Sequence, residues 1–185
     1  DLSNVYPALE SEEFTSAVSG LRRQIQELES FFDETVEKPG STETPGHLDE
    51  IIGELLDRFN AAYTLSGTIE AFIFSYVSTD SRNKTALRRL SEFEMLSLPL
   101  KKLELRLKAW LGKIEASLGE ALKHGGTAEA HAFLLKETAR QSRFLMSREE
   151  ESLAAELNLS GGNAWSKLQG TVTSQLTVDF ELDGK

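Results

Sequence analysis

The sequence predicts an all-α fold: a bundle of long antiparallel helices with a short C-terminal β-strand or truncated hairpin. Three observations carry this reading. Apolar residues recur at steps of three and four through long stretches, as one face of a helix requires. Short polar or Pro/Gly breaks separate those stretches, which favours antiparallel neighbours. No self-similarity at a period of 20 to 50 residues points to a solenoid.

The chain divides into an irregular leader (1–10), a helical bundle (11–158) and a connector helix and strand (159–185). In the first helix Ser11 is the expected N-cap, with Glu12 and Glu13 set favourably against the helix dipole. Phe14, Val18, Leu21, Ile25, Leu28 and Phe32 form its apolar stripe, on a helix about 38 Å long. Lys38-Pro39-Gly40 and the polar stretch Ser41 to Gly46 end it.

A second long helix is expected over His47 to Ser78. Leu48, Ile52, Leu55, Phe59, Ala62, Ile69, Ile73 and Tyr76 make its stripe, and Ile51, Leu56, Phe72 and Phe74 widen it. So broad a stripe predicts burial on two sides. Thr79-Asp80-Ser81 forms the next turn and cap. The third helical stretch carries Leu87, Leu90, Phe93 and Leu96, then meets Pro99, where a kink or break is expected. Leu100, Leu103, Leu107, Trp110, Ile114 and Leu118 resume the period as far as His124-Gly125-Gly126. Thr127 caps a fourth helix reaching about Gln141, and Ser147 with Glu150 forms a capping box for a fifth, to about Leu157. Beyond Ser160-Gly161-Gly162-Asn163 come a short helix from Ala164 and a β-prone run, Leu176 to Leu182. Asp183-Gly184 would open a hairpin whose second strand does not follow. That, with the start at Asp1, predicts a piece cut from a longer polypeptide.

The formal net charge of -10 disfavours phosphate backbones, so nucleic acid is not an expected partner. The pairs Arg22-Arg23 and Arg88-Arg89 read as solvated helix faces. The absence of cysteine excludes disulfides and thiolate metal sites, and no apolar run reaches the ~20 residues of a membrane span.

Candidate chemistry is sparse. None of His47, His124 and His131 has a second histidine four residues away, the spacing a helical zinc site needs. Each reads as a capping or surface histidine. Glu149, Glu150 and Glu151 resemble a metal cluster but fall in the first turn of a helix, where the dipole favours acids. Gly161-Gly162 lacks both the strand before it and the Lys-Ser/Thr after it of a phosphate loop, and reads as a tight interhelical turn. No Gly-x-Ser-x-Gly elbow occurs. The Trp, Phe and Leu stripes read as core. No residue is assigned as catalytic, cofactor-binding or metal-binding.

Two stretches carry more than pattern. Asp1-Leu-Ser-Asn-Val-Tyr-Pro7 resembles the start of bacterial oligoendopeptidase F proteins, where Trp typically precedes the Asp-Leu. Leu159-Ser-Gly-Gly-Asn-Ala-Trp-Ser-Lys-Leu-Gln-Gly-Thr-Val-Thr-Ser-Gln-Leu176 is similar to the segment joining the N-terminal lobe of that family to its body. The stretch from Ala128 to Glu156, with its Phe-Leu-Leu and Ser-Arg-Glu-Glu-Glu elements, is also similar.

The resemblance implies the N-terminal, non-catalytic lobe of a cytoplasmic zinc metallopeptidase acting on short peptides. In that family a His-Glu-x-x-His helix and a later glutamate hold zinc, and the first glutamate activates water. Nothing in this chain matches that motif, so the zinc and the active site are expected downstream of Lys185, in a catalytic domain of the same polypeptide. The lobe would wall a substrate channel and restrict substrate size. The alternative reading is an autonomous helical module that binds partner helices through an apolar groove and has no enzymatic role. A separated lobe is expected to self-associate, through its terminal strand at residues 177 to 182.

Overall fold

A computed structural model describes residues 2–38, 44–123 and 127–177. Among these residues eight α-helices follow in order: α1 (Glu12–Phe31), α2 (Pro45–Thr79), α3 (Lys84–Lys113), α4 (Glu115–Ala121), α5 (Thr127–Ala130), α6 (Ala132–Gln141), α7 (Arg148–Ser160) and α8 (Gly162–Thr173). A π-helical turn, Phe32–Val36, extends α1, and a 3-10 turn, Ser142–Phe144, follows α6.

The local chemistry of the helix ends is largely as expected. The Ser11 hydroxyl accepts the Phe14 N–H at 3.2 Å, satisfying one of the orphan donors at the start of α1. Ser147 and Glu150 make the reciprocal capping box, each side chain taking the other's backbone N–H. The start of α3 differs: its cap is Asn83, whose side chain accepts the Ala86 N–H at 3.0 Å, and Asp80 instead ties the turn by accepting the Arg82 N–H.

The core runs along α1, α2 and α3. Leu21, Leu28, Leu48, Ile52, Ile69 and Leu111 are sealed from solvent. The leader is irregular but packed, because Tyr6 and Leu9 are buried in the same core. The Tyr6 ring meets Phe14 and Phe72 edge-on, with centroids 5.5 and 5.0 Å away, a favoured aromatic geometry.

Three expectations are corrected. Helix α3 runs through Pro99 unbroken. Proline costs the carbonyl of Met95 its helical partner, but Met95 and Pro99 both lie on the exposed side of the helix, where water can serve that carbonyl. The breaks fall instead at Ile114 (φ -99°, ψ 11°) and His131 (φ -105°, ψ 14°), inside stretches whose periodicity predicted continuity. Buried apolar side chains lie on both sides of each break, so the stripe continues although the helix axis does not.

The helical bundle stands, but the C-terminal strand is not supported. Among the described residues there is no strand. Leu176 and Thr177, the first two residues of the expected run, follow α8 as non-regular backbone. The rest of that run, with the hairpin turn and most of the edge proposed for self-association, lies outside the described residues.

Candidate interaction face

Helices α7 and α8 form a hairpin on the flank of the bundle, and neither buries a single residue. The start of α7 accounts for the acidic triplet. Glu150 belongs to the capping box, and the backbone N–H of Ser147 holds its carboxyl below the ordinary pKa. Glu151 accepts the Met146 N–H at 3.0 Å. These acids therefore organise a helix start. Lys102 of α3 then pins α7 through Glu156, at 2.6 Å.

At Gly161 the chain reverses, its N–H closing on the Leu157 carbonyl at 2.8 Å. A side chain at Gly162 would place Cβ 2.5 Å from Asn158 Oδ1, so the turn is closely packed. The tight-turn reading of Gly161-Gly162 is the one the backbone adopts.

Helix α8 lies across α2 and α3 with its faces inverted. The side turned towards the bundle is polar and small: Asn163, Ser166, Lys167, Gly170 and Ser174. At 100° per residue, Trp165, Leu168 and Val172 occupy an arc of about 60° on the opposite side. Trp165 is 70 % exposed, and Leu168 and Val172 more than half. Leu153 and Leu157 of α7 are likewise exposed. An apolar stripe facing water beside a polar face turned inward is the reverse of normal amphipathic packing.

Beneath α8 a groove of about 710 Å³ separates it from α2 and α3. Its floor includes Phe74, Leu87, Leu90, Phe93 and Leu100. Phe74, expected in the core, is 57 % exposed there. Among the described residues, side chains bridge the gap. Lys167 pairs with Glu94 and reaches the Ser91 hydroxyl at 3.4 Å, while the Ser174 hydroxyl donates to that of Ser81 at 2.8 Å. At one end of the groove the Tyr63 hydroxyl donates to Glu104 at 2.6 Å. Burial, then this hydrogen bond and the carboxylate's charge, push its pKa well above the ordinary value, so Tyr63 acts as a fixed donor.

The histidines do not converge. His47 sits in the first turn of α2 with Nδ1 3.5 Å from Glu50, His131 marks the joint between α5 and α6, and His124 lies outside the described residues. Among the described residues no group of three or more His, Cys, Asp or Glu side chains is placed to hold a metal ion. The zinc implied by the family resemblance therefore has no fitting ligand set there. No described helix is long and apolar enough to cross a membrane.

Reading the Trp, Phe and Leu stripes as core holds for Trp110, which is buried, and fails for Trp165. The missed signal was present in the sequence as Trp165, Leu168, Val172 and Leu176 at i, i+3, i+7 and i+11.

Fold and face together define a helical lobe with exposed apolar side chains on its α7–α8 flank. Residues 114–177, spanning α4 to α8, match the family model for the N-terminal domain described as oligopeptidase F. That match supports an N-terminal lobe of an oligopeptidase-F-like peptidase. It takes in the Ala128 to Glu156 and Leu159 to Leu176 stretches, and does not extend to the Asp1 to Pro7 opening. Searches of the curated proteins and of the solved structures gave no match.

Proposed function

We propose that this chain is the non-catalytic N-terminal lobe of a zinc-dependent oligopeptidase that hydrolyses short peptides in the cytoplasm. Its helices wall the substrate channel and restrict substrate size, while zinc and the groups that activate water belong to a catalytic domain of the same polypeptide. The observation that carries the reading is the set of exposed apolar side chains on the α7–α8 hairpin, Leu153 and Leu157 with the stripe Trp165, Leu168 and Val172. It lies wholly inside the segment that matches the oligopeptidase F model. A desolvated partner surface is the natural cover for five exposed large apolar side chains on one helical hairpin. In this reading α7 and α8 seat the lobe on the catalytic body, and the α1–α3 core keeps that seat rigid.

The reading is tested with the purified chain and a quenched-fluorescence peptide, with and without added zinc. It predicts no turnover in either condition. Zinc-dependent hydrolysis that persists through repurification would overturn the non-catalytic assignment.

A further inference from the structure

We propose that the groove between α8 and the α2–α3 pair binds a small zwitterion with an apolar side chain, the chemistry of a free amino acid or a dipeptide. Its volume of about 710 Å³ suits a ligand of that size. The site lies on the inner face of α8, away from the outward stripe, and does not rest on the docking reading.

Among the described residues, Ser66 and Ser97 alone of the polar side chains are buried, at 7 % and 6 % exposure, and both line this groove. The Ser97 hydroxyl donates to the Glu94 carbonyl at 3.2 Å. The Ser66 hydroxyl has no hydrogen-bond partner among the described residues. It is not one of the sealed, unpaired atoms, which are Gln24 Oε1, Asp49 Oδ1 and Arg89 Nε. It is therefore a donor and acceptor that a ligand in the groove can use.

Four charged side chains line the groove: Glu70, Glu94, Lys101 and Lys167. Glu94 and Lys167 neutralise each other, whereas Glu70 and Lys101 form no ion pair with a described residue. The Tyr63–Glu104 hydrogen bond fixes the register of α2 against α3. In that antiparallel register Lys101 falls opposite Ser66, and Glu70 opposite Ser97, about 6 Å further along the axis of α2. Phe74, Val77 and Leu87 line the stretch beyond Glu70, where Phe74 is largely exposed. A ligand carboxylate thus meets Lys101 and the Ser66 hydroxyl, its ammonium meets Glu70, and its apolar side chain lies over Phe74. A simple anion or a simple amine would match one of the two charges and leave the other unmet; a zwitterion meets both.

Calorimetric titration of the chain with leucine and with Leu-Leu tests this. Both are expected to bind, and the tighter one distinguishes a free amino acid from a dipeptide. Glu70→Gln and Lys101→Gln, at exposed positions, should each weaken binding about tenfold. Half-capped probes separate their roles: N-acetyl-leucine should be indifferent to Glu70→Gln, and leucinamide to Lys101→Gln. Ser66→Ala should weaken binding severalfold without lowering the thermal midpoint, because the hydroxyl removed has no partner to lose. The proposal is overturned if neither leucine nor Leu-Leu binds at about 20 mM, if the doubly capped N-acetyl-leucinamide binds as tightly as leucine, or if either charge substitution leaves binding unchanged. None of these outcomes bears on the docking reading or on the absence of turnover, which are measured separately.

Discussion

Arg106, in the C-terminal third of α3, grips Glu37 just beyond the π-turn through two hydrogen bonds, Nε at 3.2 Å and Nη2 at 2.9 Å. The same guanidinium reaches Asp33 at 2.6 Å and lies 4.9 Å from the centroid of the Phe32 ring. Its side chain is 10 % exposed. Burial works against its charge, but the hydrogen bonds to Glu37 and Asp33 outweigh this and hold its pKa above the ordinary value. A five-residue π-turn is therefore tied to α3 by one cation fitted over it, beside the burial of Phe32 and Val36 in the core.

Arg106→Ala is expected to lower stability by about 1–3 kcal/mol, through lost packing as well as lost pairing. Arg106→Lys should recover less than half, because an ammonium cannot make the forked contact. Asp33→Asn should cost less than about 1 kcal/mol, since Asp33 is largely exposed. Urea unfolding of the three variants checks the order.

Gly112 and Gly67 predict opposite signs for the same substitution. A Cβ at Gly112 would lie 1.9 Å from Ser142 Oγ and 2.7 Å from its Cβ, so α3 and the turn after α6 must separate. Gly112→Ala should destabilise by about 1–3 kcal/mol. At Gly67 a Cβ meets nothing within 4 Å, and the site is inside α2. Gly67→Ala should stabilise by about 0.4–1 kcal/mol. Thermal unfolding of the pair decides it.

Glu137 supplies the pH test. Its hydrogen bonds from Arg140 and then Gln141 lower its carboxyl pKa from 4.5 to about 2. A depressed folded pKa means that the contribution is complete above about 4.5 and is lost as the pH falls towards 2. Carbon-detected titration should place the Glu137 midpoint near 2, and Arg140→Ala should move it towards the ordinary value. A midpoint near 4.5 in the parent chain would show that the pair does not form.

Much of the bundle was legible in the sequence because its signals are local. The Ser11 and Ser147 caps depend on residues three positions apart, and the stripes of α1 and α2 depend only on spacing. The breaks at Ile114 and His131 were not legible, since the apolar period continues across both and only tertiary packing decides where the axis turns. At Pro99 the local rule allows a kink or a break, and the break does not occur because the exposed side of α3 tolerates the lost hydrogen bond. The stripe on α8 was visible as spacing, yet spacing alone cannot say whether a face points inward or outward. That required the placement of Lys167 beside Glu94.

The most direct test of the central claim is association between this chain and the catalytic domain of its polypeptide, produced separately and measured by titration calorimetry. The stripe variants Leu168→Glu and Val172→Glu, on exposed positions, should leave the helicity of the chain intact. Each is predicted to weaken association at least tenfold, as burying an unpaired charge at an apolar seat requires. Association of both variants with the affinity of the parent chain would contradict the claim that the α7–α8 face seats the lobe.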